Sequence, residues 1–121
     1  MTGSRDAAVA AARAAASKQA RHVVVLDVRD LIVITDYFVI ASGTSDRQVR
    51  TIAEEVERAV KAQGLRPLRR EGQREGRWVL LDFVDFVAHV FQDEDRDYYG
   101  LERLWADAPP VDWDQRAAQS G

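Results

Sequence analysis

The sequence predicts a single α/β (α+β) domain built on one mixed β-sheet flanked by helices, and three observations carry that prediction. An alanine-rich stretch opens the chain, short β-branched runs recur after it, and one segment between them switches to the period of an amphipathic helix. The resulting order is helix, strand, strand, helix, two strands, helix, the pattern of a one-sheet layered domain. A chain of 121 residues has the length of one such domain, and it contains no internal repeat. The domain is expected over residues 1–110. Residues 111–121, ending in AAQSG after Pro109-Pro110, are expected as a flexible tail with little means to order itself.

Each element has a local reason. Residues 6–21 read as a helix because alanine is the best helix former and nothing inside interrupts it; the weakly apolar face suggests peripheral packing. Val23 to Val28 (VVVLDV) and Tyr37 to Ala41 (YFVIA) suit strands, with Leu31-Ile32-Val33-Ile34 between them. From Ser45 to about Ala62, Val49, Ile52, Ala53, Val56 and Val60 fall on one helical stripe, and Gly64 is a good stop. Arg66 to Arg77 is a loop with a possible short strand near Leu68. Trp78 to Asp82 (WVLLD) and Phe86 to Phe91 (FVAHVF) read as an antiparallel hairpin. Asp93-Glu94-Asp95 then opens a last helix, where acidic residues suit the dipole.

Composition removes several classes of function. There is no cysteine, so disulfides, thiol catalysis and thiolate metal sites are absent. Two histidines, His22 and His89, cannot form a multi-histidine metal centre. A formal charge of -3 argues against a whole-surface electrostatic grip on nucleic acid, while leaving room for a local patch. The first twenty residues lack the apolar run of a secretory signal, and no segment approaches the roughly 18 apolar residues that span a bilayer. A cytoplasmic location is expected.

The strand-to-helix junction IASGTSDRQV (Ile40 to Val49) is where phosphate chemistry would sit. It has one glycine and neither a dinucleotide-binding nor a P-loop pattern, so a helix cap by Thr44, Ser45 or Asp46 is the stronger reading. With Ser45 as N-cap, Gln48 takes the capping-box position. No Asp-x-Asp pair lies between Gly43 and the hairpin to hold magnesium for nucleotidyl transfer. His89, with no cysteine partner and no nucleophile elbow, reads as a structural or interface group. The Arg66 to Arg77 loop could touch RNA phosphates, but glutamates interrupt it and it contains no aromatic stacking platform.

The hairpin is more informative. With Phe83-Val84 as a two-residue turn, Trp78 faces His89, Leu80 faces Val87 and Asp82 faces Asp85. Val79, Leu81, Phe86, Ala88 and Val90 then form an apolar core face. Trp78, Leu80, Asp82, Asp85, Val87 and His89 form the other face, and Tyr98, Tyr99 and Trp105 could extend it. Aromatic anchors mixed with carboxylates fit a protein-recognition surface, and equally a sheet covered by helices on both sides.

Four segments together resemble one family: Thr35 to Val49 (TDYFVIASGTSDRQV), Arg77 to Asp82 (RWVLLD), His89-Val90-Phe91, and Tyr98-Tyr99-x-Leu101-Glu102-x-Leu104-Trp105. In this order, over about Asp27 to Pro109, they look like the ribosomal silencing factors, RsfS, also called Iojap or YbeB. The resemblance implies a nucleotidyltransferase-like fold without catalytic residues, no cofactor and no enzymatic activity. It further implies binding to the large ribosomal subunit through the universal ribosomal protein L-fourteen, a steric block to small-subunit joining, a related role in large-subunit assembly, and a homodimer when free. Carried over residue by residue, Trp78, Leu80, Asp82, Asp85, His89, Tyr98, Tyr99, Glu102 and Trp105 are the expected partner-binding positions, with peripheral contact to ribosomal RNA possible. The carboxylates suit a basic ribosomal protein. One departure bears on the hairpin: the family commonly has glycine where this chain has Val84.

Overall fold

The computed structural model describes residues 3–95, 103 and 106–114. Its elements are α1 (Ser4–Ser17), β1 (Arg21–Asp27), β2 (Tyr37–Gly43), α2 (Asp46–Ala62), β3 (Arg69–Glu71), β4 (Trp78–Asp82) and β5 (Phe86–Gln92). The five strands form one mixed sheet in the order β1-β2-β5-β4-β3. Only the β2–β5 pair is parallel; its crossover passes through α2, β3 and β4. The expected final helix is seen as Asp93–Asp95 and at Arg103, its other positions lying outside the described residues.

Strand alternation divides the apolar residues between two faces. Val25, Val39, Ala41, Val79, Leu81, Phe86, Ala88 and Val90 point to the face that carries both helices and join one core. The α2 stripe read from the sequence, Val49, Ile52, Ala53, Val56 and Val60, is buried against it. Leu26, Ile40 and Phe91 point to the opposite face and pack with Val28 and Ala108.

Three expectations need correction. First, α1 is not peripheral: Ala7, Ala8, Ala11, Ala12 and Ala15 are wholly buried between α2 and the sheet. Alanine offers little apolar area, and that small size is what lets the helix backbone approach its neighbours closely. Second, packing does not end at Pro110. The Asp27 N–H donates to Pro109 O (2.9 Å), the Val111 N–H to Val25 O (2.8 Å) and the Trp113 indole to Val23 O (3.1 Å). Residues 109–113 thus lie along β1 and cover that sheet edge, leaving the three-residue, charged β3 as the other edge.

Third, the hairpin register differs by two positions. Trp78 pairs with Phe91, Leu80 with His89, and Asp82 with Val87. The turn is centred on Val84-Asp85, closed by the Phe83 N–H donating to Phe86 O (2.9 Å) and the Asp85 N–H donating to Phe83 O (3.0 Å). Val84 adopts φ 75°, a conformation uncommon for a β-branched residue. It stays in the turn as expected, while the turn's centre moves one residue on to Val84-Asp85. Because side chains alternate with period two, a slip of two leaves the face of every strand residue unchanged. Asp85 alone moves, from a strand face into the turn.

Candidate functional site

The Gly43–Asp46 junction serves as the capped start of α2. Ser45 caps α2, its Oγ accepting the Gln48 N–H at 3.1 Å. Gln48 reaches back one residue further than a standard capping box: its Oε1 accepts from the Thr44 N–H (2.7 Å) and the Thr44 hydroxyl (3.0 Å). Its amide donates to Gln19 O (3.2 Å), tying α2 to the end of α1. Gly43 sits in a tight space, since a Cβ there would meet Val49 at 3.2 Å and Ile52 at 3.3 Å. Nothing in this arrangement reserves backbone N–H groups for a phosphate.

The arginine-rich loop is similarly engaged. Arg70 makes a two-pronged pair with Glu57, both contacts at 2.7 Å, and this guanidinium holds the Glu57 carboxyl below the usual range. Arg69 approaches Asp82 at 3.5 Å and Arg77 approaches Asp95 at 3.0 Å. The Arg50 side chain donates to Arg74 O, pinning the loop over α2. These pairings leave the loop a poorer phosphate tracker than its composition suggests.

The sheet face opposite α1 and α2 holds the residues that the hairpin brought forward. Trp78 is half-buried, its ring 4.6 Å from that of Phe91. Its indole N–H donates to His89 Nδ1 at 3.3 Å. His89 is only 7% exposed, set edge-on to Phe38 at 5.2 Å and stacked with Phe91 at 6.0 Å. Burial pushes its pKa down to about 4, so the ring is neutral at pH 7. Since Nδ1 accepts the indole proton, the imidazole proton resides on Nε2, which has no partner.

The two aspartates separate in role. Asp82 spends its carboxylate on the turn, Oδ1 accepting the Val84 N–H at 2.9 Å and Oδ2 facing Arg69. Asp85 is exposed, and its carbonyl accepts from Asp36 N (2.8 Å), binding the hairpin turn to the start of β2. Leu80, half-buried, lines a groove of about 360 Å³ with Ile32, Phe38, Leu68, Val87 and His89. Trp78, Leu80, Asp82 and His89 are therefore brought together; Asp85 stands at the turn beside them. Tyr98, Tyr99, Glu102 and Trp105 lie outside the described residues.

Sequence reasoning missed the loop that walls this groove. Val33 is 99% exposed and Ile34 86%, although four consecutive apolar residues there look like a core strand.

Among the described residues, no helix is long and apolar enough to cross a membrane. A family model described as "Ribosomal silencing factor during starvation" matches residues 2–121. The ribosomal silencing factor RsfS of Halalkalibacterium halodurans is 43% identical over 102 residues, spanning 84% of this chain and 87% of that protein. RsfS of Bacillus subtilis is 43% identical over 104 residues, spanning 86% and 88%. The crystal structure of a Chromobacterium violaceum protein matches with a TM-score of 0.84 at 31% identity, covering 87% of this chain and 88% of that one.

Proposed function

Because the chain belongs to the RsfS family of ribosomal silencing factors, we propose that it represses translation by binding the large ribosomal subunit and standing in the way of the small one. The contact is made to the universal ribosomal protein L-fourteen, through the sheet face opposite α1 and α2. The observation that supports this face most is the Trp78–His89 unit: a half-buried indole held by a hydrogen bond, the kind of pre-set aromatic anchor that dominates protein interfaces. Acidic Asp85, exposed at its edge, suits a basic partner, and Tyr98, Tyr99, Glu102 and Trp105 complete the surface in this reading.

The action is steric, with no cofactor and no turnover, in the cytoplasm, and the free protein is a homodimer. The capped junction at Gly43 supports this over a residual nucleotide-binding enzyme, because Gln48 takes up the Thr44 N–H and hydroxyl there. The paired arginines support it over an RNA-binding assembly factor.

The test is a light-scattering assay in which the protein is titrated into isolated large subunits before small subunits are added. Association falling to a minimum at stoichiometric protein is the expected result. Unchanged association with the protein bound would overturn steric blocking and move an assembly role ahead of it.

A further inference from the structure

Among the described residues, every exposed large aliphatic side chain lies around one groove. Ile34, Leu68 and Val84 line it, and Leu31 and Val33 share the loop with Ile34. Leu68 is 71% exposed on the opposite wall, so the rim is apolar on both sides. Such a concentration, with the rest of the described surface free of it, marks a contact face.

The groove also carries two polar side chains with no partner. Thr35, 5% exposed, and His89, 7% exposed, both line it, and Thr35 Oγ1 and His89 Nε2 are buried without a hydrogen bond. A folded chain seldom leaves such groups unpaired, and two at one place ask for a common explanation. His89 Nε2 carries the ring proton, because Nδ1 is taken by Trp78; it can only donate. An occupant that satisfies it must present an acceptor.

Charge narrows the occupant further. Arg69 and Asp82, the charged residues of the lining, face each other at 3.5 Å, so the groove itself is neutral. Asp85, exposed just beyond Val84, makes no ion pair among the described residues, and the whole chain carries -3. A second copy of this acidic chain would bring its own uncompensated carboxylates to the rim. A basic partner would answer them.

We propose that this groove receives an aliphatic segment of the basic ribosomal protein partner, whose backbone carbonyl accepts from His89 Nε2 and Thr35 Oγ1 while flanking Lys or Arg residues meet Asp85. The inference rests on the ribosome-binding reading and adds a second subsite to it, beside the Trp78 anchor and sharing His89 with it. Thr35 Oγ1 and His89 Nε2 are covered in the free protein, so docking of the carbonyl requires the exposed loop at Ile34 beside them to shift.

Binding of the full chain to isolated large subunits, measured by co-sedimentation over a concentration series, tests it with two variants. Leu68→Asp changes an exposed side chain and leaves the core intact; it is expected to weaken binding about tenfold or more. Thr35→Val keeps the volume and removes an orphaned hydroxyl, so it should raise the melting temperature of the free protein while weakening binding about threefold to tenfold. A hydroxyl with a purely structural role would not give that opposition. If wild type binds, Trp78→Ala weakens it, and both groove variants bind like wild type, the groove proposal is overturned and the family reading survives. If wild type self-associates in the absence of ribosomes and Leu68→Asp abolishes this without altering subunit binding, the occupant is a second copy and the proposal is again overturned. If wild type fails to bind large subunits at all, both fall together.

Discussion

Trp78 and His89 are joined diagonally across the β4–β5 ladder: the indole Nε1 donates to the imidazole Nδ1 at 3.3 Å although each pairs with a different residue, Phe91 and Leu80. Diagonal neighbours on one sheet face lie within reach of long aromatic side chains, so the bond fixes the tryptophan without requiring direct opposition. It also fixes the tautomer of a histidine that burial keeps neutral. Both consequences can be measured.

The first concerns pH. The folded-state pKa of His89 lies at about 4, below its ordinary value near 6.5, because protonation would put a charge in an apolar site and break the Trp78 bond. The unfolded chain therefore takes up the proton first on acidification. Stability from this group is complete above pH 6.5 and declines as pH falls toward 4, by on the order of 3 kcal/mol over the whole window. Urea denaturation of wild type and His89→Gln at pH 7.5 and pH 5 checks it: wild type should lose about 2 kcal/mol more than the variant between those values. Equal losses in the two proteins would show that His89 titrates normally.

Val84 holds the turn at φ 75° with a β-branched side chain that is half exposed. Glycine relieves that strain at little cost in contacts, although it adds freedom to the unfolded chain. Val84→Gly should raise stability by about 0.5–1 kcal/mol, read as a higher melting temperature in calorimetry.

Gly43 stands where β2 meets the first turn of α2. An added methyl would come within 3.3 Å of Val49, Gln48 and Ile52. Gly43→Ala is expected to cost about 1–2 kcal/mol through forced repacking, and Ser45→Ala about 1 kcal/mol through the lost cap. Equilibrium denaturation separates these from any nucleotide effect: added ATP should shift the midpoint of neither variant nor of wild type.

Trp78→Ala removes the proposed anchor from a half-buried position. Its dissociation constant for isolated large subunits should rise at least tenfold, about 1.4 kcal/mol, with circular dichroism unchanged. A folded variant that binds like wild type would remove Trp78 from the interface.

Much of this molecule is legible in the order of its residues. The period of α2, the Ser45 cap, the alternation that sorts Val79 and Leu81 from Trp78 and Leu80, and the aspartates beside the turn are local properties, set by side chains within a few positions of one another. The junction at Gly43 could be read as scaffold for the same reason. Other features depend on what lies across the fold. A two-position slip at Val84 leaves every strand face the same, so hydrophobic pattern could not choose the register. Alanines in α1 look indifferent until α2 and the sheet close around them. Residues 109–113 have no strand pattern of their own and order by borrowing the free edge of β1. The sequence by itself determined the elements, the family and the face that bears the tryptophan. Tertiary structure decided that Val33 and Ile34 stay outside, and that Thr35 and His89 meet in one groove, because the parallel pairing of β2 with β5 brings two segments far apart in sequence side by side.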